Sequence, residues 1–343
     1  SSGGGGDGGG GDSGSRAHVV AGERVRGNTG ELLRDALIVA DDVRLGEQIG
    51  RGAYGVVYRG RWRGIDVAIK VLHLSRGAAM SGVGDQAALH AFKVEARRMA
   101  TLRPHAHVVQ FLGVVLEPLC IVTRFYSGGS LDRIVYAKEK KIEQQKKLTW
   151  LREVALGLRH LHAEHVVHRD LATRNILLDD RQRALITDFG MARDAMTAAG
   201  AELESHTKSD VGPVRWMAPE QLAARRAYST RSDVYALGCT YMEVLTRQIP
   251  WATEVSDLRV AHLVQAGAAP PLLVAANCDD SFCPTWLSAL IARCLLHDAA
   301  ARPTVVQVCQ LLDEHGDDGI DATAERSSGD SVDDGISDDG GGG

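Results

Sequence analysis

Two hydrophobic rhythms divide the chain, and their order restricts the fold more than any other feature. From Val43 to Phe125 the apolar residues fall mainly in short runs rich in β-branched and aromatic side chains: Val43 to Ile49, Val56 to Trp62, Val67 to Leu72, Val108 to Leu116 and Leu119 to Phe125. Runs of that length and composition read as strands. One helical stretch interrupts them over 87–102, where Leu89, Phe92, Ala96 and Met99 form one stripe, the spacing of a helix face. From about 146 onward the rhythm is helical, over 148–163, 231–247, 256–266, 284–296 and 304–314. A small β-rich lobe with one main helix, followed by a larger mostly helical lobe, is an α+β plan.

The ends share neither rhythm. Of 38 glycines, nine lie in residues 1–14 and eight in 316–343. Such segments lack the apolar surface that offsets the entropy of ordering a chain. Residues 1–42 therefore read as a disordered Gly-rich linker and a juxta-domain segment, in which Leu32, Leu33, Ala36, Leu37 and Ile38 have helical spacing. Residues 316–343 read as a disordered acidic tail, with nine acids from 317 onward against Arg326 alone. The net charge of −5 belongs to that tail, and the region between the ends is mildly basic. A strongly basic nucleic-acid binder is excluded, and 44% apolar residues exclude a wholly disordered chain. Six cysteines without a C-x-x-C pair fit reduced thiols of a cytoplasmic domain rather than a disulfide or zinc framework. No apolar run has transmembrane length and no signal peptide opens the chain. The first residue is not Met, so tethering through a preceding region stays open.

Three groups of residues carry chemistry. Gly50-Arg-Gly52-Ala-Tyr-Gly55 is a G-x-G-x-x-G, which alone fits a Rossmann turn, a flap over phosphates or a glycine-rich hairpin. The residues after it, Val56, Val57, Tyr58 and Trp62, favour a strand where a Rossmann loop needs a helix. Lys70 ends the run Val67-Ala68-Ile69. A buried ammonium needs a partner, and Glu95 on the following helix stripe is the candidate; an edge lysine on a strand is the alternative. The third group is far more specific. His168-Arg169-Asp170-Leu171-Ala172-Thr173-Arg174-Asn175 is followed by Asp188-Phe189-Gly190, which comes directly after the strand-like Ala184-Leu185-Ile186, and then by Ala218-Pro219-Glu220. A carboxylate and an amide at this spacing can divide proton acceptance and metal ligation between them.

In their order and spacing these motifs resemble those of the eukaryotic protein kinases, of the tyrosine kinase and tyrosine-kinase-like groups. The resemblance covers about 43–315 and implies a bilobal fold, with an N-lobe at about 43–123, a C-lobe at about 127–315, and ATP between them. It implies that Gly50, Gly52 and Gly55 approach the phosphates and that Val57 packs on adenine. Ile49, Ala68, Thr123, Tyr126 and Leu178 complete the nucleotide site, Thr123 as the residue before a hinge at Arg124 to Ser127. Lys70 contacts the α- and β-phosphates and pairs with Glu95. Asp170 is the catalytic base, with Arg174 beside it. Asn175 and Asp188 hold Mg2+, which offsets charge where phosphoryl transfer concentrates it. Met99, Phe111, His168 and Phe189 correspond to an apolar column between lobes. Asp233 receives hydrogen bonds from the catalytic-loop backbone, and Arg302 pairs with Glu220.

A protein substrate follows, with ATP and Mg2+ as cofactors, no nucleic acid partner and no membrane segment. The same fold without activity, a scaffold, is the other functional class, but Lys70, Asp170 and Asp188 are all present. The acceptor is read as tyrosine. Serine/threonine kinases usually carry a Lys two residues after the catalytic Asp and a Thr before Ala-Pro-Glu; this chain has Ala172 and Pro213 there, with Arg174 following. Serine/threonine or dual activity is the alternative. Gly60-Arg61-Trp62-Arg63-Gly64 resembles the tyrosine-kinase-like group, and the loop from Met191 to Met217 holds no tyrosine. Arg169 is a candidate receiver for a phosphate on Thr197, Ser205, Thr207 or Ser209, where added negative charge orders a loop by pairing with arginine. His160, His162, His165 and His168 at the end of a helix read as structural histidines, and Lys138, Lys140, Lys141, Lys146 and Lys147 as a solvated basic face between two helices.

Overall fold

Five antiparallel strands, β1 (Val43–Gly52), β2 (Gly55–Trp62), β3 (Ile65–Leu72), β4 (Phe111–Leu116) and β5 (Leu119–Arg124), form a sheet in the order β1-β2-β3-β5-β4. They come from a computed structural model, which describes residues 36–52, 55–72, 92, 96–189, 213–223, 227–254, 256–271 and 283–316. Alternation along β3 sorts its side chains. Val67 and Ile69 are buried in a small core with Ile38, Val115, Cys120 and Val122. Ala68 and Lys70 take the other face, since successive strand residues point to opposite sides. Of the helix expected over 87–102, residues 92 and 96–101 are described and helical; Glu95 lies outside the described residues.

Chain ahead of residue 43 also pairs with the sheet. Helical spacing does not make a helix of Ala36 to Ile38, which run along β4. The Ile38 amide donates to the Val114 carbonyl and the Val114 amide to that of Ala36, both at 2.8 Å, and Ala36 and Ile38 are buried. The reason is that β4 ends the sheet, and its edge amides and carbonyls need partners. Residues 36–38 thus pack against the small lobe ahead of β1.

The larger lobe contains α1 (Leu131–Val135), α2 (Gln144–Ala163), a hairpin of β6 (Ile176–Leu178) and β7 (Ala184–Ile186), α3 (Pro219–Leu222), α4 (Thr230–Thr246), α5 (Asp257–Gln265), α6 (Thr285–Cys294) and α7 (Val305–Gly316). Leu148, Leu151, Val154, Ala155, Leu158 and Leu161 give α2 one continuous buried stripe. Lys147 is buried in its first turn, so the lysine run is not one solvated face. Gly157 is obligatory, because a Cβ there would stand 2.4 Å from the His107 carbonyl oxygen. That close approach brings the loop before β4 onto α2. Helix α4 is buried on every side from Ser232 to Leu245, the pattern of a helix at the centre of a core. It starts on the Ser229 cap and stops at Arg247, in the left-handed region at φ 56°.

One apolar cluster runs from Ala96, Met99 and Ile121 of the small lobe through Phe189 to α2, α4 and α6. The molecule is a bilobal α+β fold, a five-stranded antiparallel sheet joined to a mostly helical lobe. No helix among the described residues is long and apolar enough to cross a membrane.

Candidate active site

The strand registers build the upper wall of the cleft. Val57 stands opposite Lys70 between β2 and β3, Ala68 opposite Thr123 between β3 and β5, and Gly50 opposite Val57 between β1 and β2. Val57, Ala68, Lys70 and Thr123 therefore share one face of the sheet. Ile49 precedes Gly50 on β1, and Gly52 pairs with Gly55 where β1 meets β2. Lys70 Nζ lies 2.7 Å from Asp188 Oδ1, so the described partner of Lys70 is Asp188.

The lower wall is the segment between α2 and β6. Asp170 is fixed on both oxygens: Arg174 Nη2 donates to Oδ1 at 2.6 Å and Asn175 Nδ2 to Oδ2 at 3.0 Å. Arg174 lies with its guanidinium 4.6 Å from the centre of the Trp216 ring, within cation–π range. His168 is buried, and desolvation outweighs Asp233 and Asp170 to hold its imidazole below the usual range. It is thus neutral: Nε2–H donates to the Thr187 carbonyl at 3.0 Å, and Nδ1 accepts the Asp170 amide at 3.2 Å. Asp233 on α4 accepts the amides of His168 and Arg169, each at 2.8 Å, and meets His162 Nε2 at 2.8 Å. Arg169 and Asp188 are left-handed, at φ 73° and 57°. Non-glycine residues rarely adopt that region, and such strain persists where surroundings over-determine it; here Asp233 and Lys70 supply those anchors.

Asn175 Oδ1 and Asp188 Oδ2 carry no hydrogen bond among the described residues. Two hard oxygen donors, one of them anionic, fit a magnesium ion.

Not every expected residue falls in this site. Leu178 is wholly buried in the main core. Its neighbour Leu177 is the half-buried member of β6 and takes the opposite side of the strand. Tyr126 turns its ring behind the hinge, where its hydroxyl accepts the Gln110 amide at 3.3 Å. Behind the hinge is an open cavity of about 810 Å³ lined by Arg103, His105, Phe111, Arg124, Tyr126 and Arg183. None of Lys70, Asp170, Asn175 or Asp188 lines it. Many kinases have Glu at the position of Arg124, and nothing in the structure explains the arginine. Gly190, Thr197, Ser205, Thr207 and Ser209 lie outside the described residues; the Arg169 guanidinium stands 5.5 Å from the centre of the Tyr228 ring. Trp216 belongs to the same Gly212-Pro213-Val214-Arg215-Trp216-Met217 segment as the Pro213 that bears on acceptor choice, and it supplies the ring against Arg174.

Glu220 and Arg302 form a bidentate pair at 2.7 and 2.8 Å. His160 Nε2 meets the Arg103 carbonyl, and its ring stacks on His105 with centroids 4.6 Å apart.

The family model for protein tyrosine and serine/threonine kinases matches residues 43–312. Over 278 residues the chain is 32% identical to the probable serine/threonine-protein kinase drkD of Dictyostelium discoideum, covering 79% of this chain and 20% of that protein. It is 32% identical to the serine/threonine-protein kinase A-Raf of Sus scrofa, over 79% of this chain and 43% of that protein. It is 31% identical to the spermatocyte protein spe-8 of Caenorhabditis briggsae, over 82% of this chain and 53% of that protein. The chain thus spans about a fifth to a half of the length of these relatives.

Proposed function

The chain belongs to the family of protein tyrosine and serine/threonine kinases, and from that premise we propose that it moves the γ-phosphate of ATP to a tyrosine hydroxyl of a protein. Asp170 takes the proton as the acceptor oxygen bonds to phosphorus, and the bond from phosphorus to the bridging oxygen of ADP breaks. Lys70 holds the α- and β-phosphates by charge. Asn175 and Asp188 hold Mg2+, which when bound offsets the negative charge on the phosphate oxygens. The backbone of the hinge at Arg124 to Ser127 holds adenine. A cytoplasmic setting is supported by the free thiols of Cys120, Cys239, Cys283, Cys294 and Cys309.

One observation carries the choice of tyrosine: Arg174 Nη2 sits 2.6 Å from Asp170 Oδ1, while Ala172 is buried and uncharged. Serine/threonine kinases usually place a lysine there. In its absence Arg174 is the cation paired with Asp170.

A second reading, transfer to serine or threonine or to both acceptor types, is favoured by the relatives. Both drkD and A-Raf are called serine/threonine-protein kinases. Radiolabel from γ-labelled ATP, followed by phosphoamino-acid analysis of the chain and of a mixed peptide library, decides between them. Phosphotyrosine is expected, and phosphoserine and phosphothreonine alone would refute it. Asp170→Asn is the control, and equal labelling by both proteins would point to a scaffold.

A further inference from the structure

Glu243 lies at the centre of the large lobe, 1% exposed, and transfer as described above does not use it. Its carboxylate is filled by donors from three directions. Oε1 receives the Tyr136 hydroxyl, just after α1, and the Thr173 hydroxyl in the catalytic loop. Oε2 receives the Thr173 amide at 3.2 Å and the Trp216 indole N–H at 3.0 Å. Burial pushes the Glu243 carboxyl up, against the hydrogen bonds from Thr173, Tyr136 and Trp216; four donors on four acceptor positions suit its ionised form, which accepts only. Among the described residues no lysine, arginine or histidine forms an ion pair with it.

A buried carboxylate without a counter-ion costs several kcal/mol of desolvation relative to an apolar side chain, so packing alone does not account for it. Its geometry does. Trp216, held by Oε2, presents the ring face on which the Arg174 guanidinium rests at 4.6 Å, and Arg174 holds Asp170 at 2.6 Å. Negative charge at the indole N–H also enriches the ring face that attracts the guanidinium. The carboxylate can serve Trp216 only if it cannot rotate, and rotation is prevented by the two hydroxyls on Oε1.

We propose that Tyr136 and Thr173 are positioning residues for phosphoryl transfer: by fixing Glu243 they seat Trp216, and through Trp216 they set Arg174 against Asp170. The inference rests on the transfer reading above and adds two residues that touch neither nucleotide nor acceptor. Tyr136→Phe removes one oxygen and keeps the ring. Thr173→Val removes the hydroxyl at constant shape, and Thr173→Ser restores it.

The test uses the full chain with Mg-ATP, poly(Glu,Tyr) and a serine/threonine peptide library, together with thermal unfolding of each protein. Tyr136→Phe and Thr173→Val are expected to lower kcat on the preferred acceptor about tenfold, the scale of one hydrogen bond to a charged group. The KM for ATP should stay within about twofold, and Thr173→Ser should keep the wild-type rate. A Tyr136→Phe kcat within about twofold of wild type overturns the proposal. So does an equal loss in Thr173→Ser and Thr173→Val that follows the unfolding midpoint. Wild-type labelling of serine and threonine alone refutes the tyrosine reading and leaves this inference to be decided on that acceptor; labelling of neither acceptor overturns both.

Discussion

Replacing Glu220 by glutamine should destabilise the large lobe far more than its place near the surface implies. Arg302 has a fully buried side chain, while that of Glu220 is 22% exposed. All five guanidinium N–H groups are used. Nε donates to the Leu296 carbonyl, Nη1 to Glu220 Oε1 and the Arg231 carbonyl, and Nη2 to Glu220 Oε2 and the His297 carbonyl, at 2.7 to 3.0 Å. Glutamine keeps one acceptor and turns an NH2 toward the other N–H, leaving a buried charge uncompensated. Breaking one side of a buried pair costs about 3–5 kcal/mol, and losing two charge-assisted hydrogen bonds at about 1.5–3 kcal/mol each gives the same range. At about 2–4 °C per kcal/mol for a domain of this size, Tm should fall by about 6–20 °C. Circular dichroism against temperature and urea at pH 7 measures it. Methionine at both positions removes the stranded charge but also the donors to the Leu296, Arg231 and His297 carbonyls, so it should cost less than the sum of the two single methionine variants. A single-variant loss below about 1 kcal/mol, or a double variant equal to the sum of its singles, would refute the reasoning. Acid supplies a second check. Burial pushes the Glu220 carboxyl up from 4.5, but the hydrogen bonds from Arg302 and Ser232 outweigh it and the net shift is downward. The contribution is therefore complete above pH 4.5 and is lost as pH falls through the lowered value, so the gap between the two proteins should close in acid.

Other consequences are equally direct. Burial first, then His160, His107 and Arg159, lowers His105 from 6.5 to about 4; the unfolded chain takes up that proton first, so stability should decline from pH 6.5 toward 4, and His105→Gln should flatten Tm against pH in that window. Asp233→Asn leaves one acceptor for two amides and should lower kcat about 10- to 100-fold, a loss of about 1.4–2.8 kcal/mol of transition-state stabilisation, with faster hydrogen exchange at His168 and Arg169; unchanged exchange would count against the tether. Gly113→Ala places a Cβ 2.5 Å from the Ala36 oxygen and 2.7 Å from Ile38 Cδ1, and should cost about 1–3 kcal/mol in urea unfolding.

Residues acting through fixed local spacing were legible in the sequence. Asp170, Arg174 and Asn175 lie within one turn of chain, and the structure brings Asp188 to Lys70. Helix α1 escaped notice because its five residues are too few to show a period. The burial of Lys147 was hidden because composition cannot say which side of a helix packs. The Glu243 cluster was invisible for a different reason: Tyr136, Thr173, Trp216 and Glu243 are distant in sequence and meet only once α1, the catalytic loop and α4 have packed.

The strap at Ala36 to Ile38 separates two definitions of the domain. The homologous unit starts at residue 43, but the chain that pairs with its sheet starts at least seven residues earlier. A chain cut at the homologous boundary would leave Val114 without its amide and carbonyl partners and uncover the side of β4 to solvent. An unpaired strand of that kind recruits strands from other molecules. Such a truncation is therefore a recipe for aggregates, and expression beginning upstream of residue 36 is the remedy.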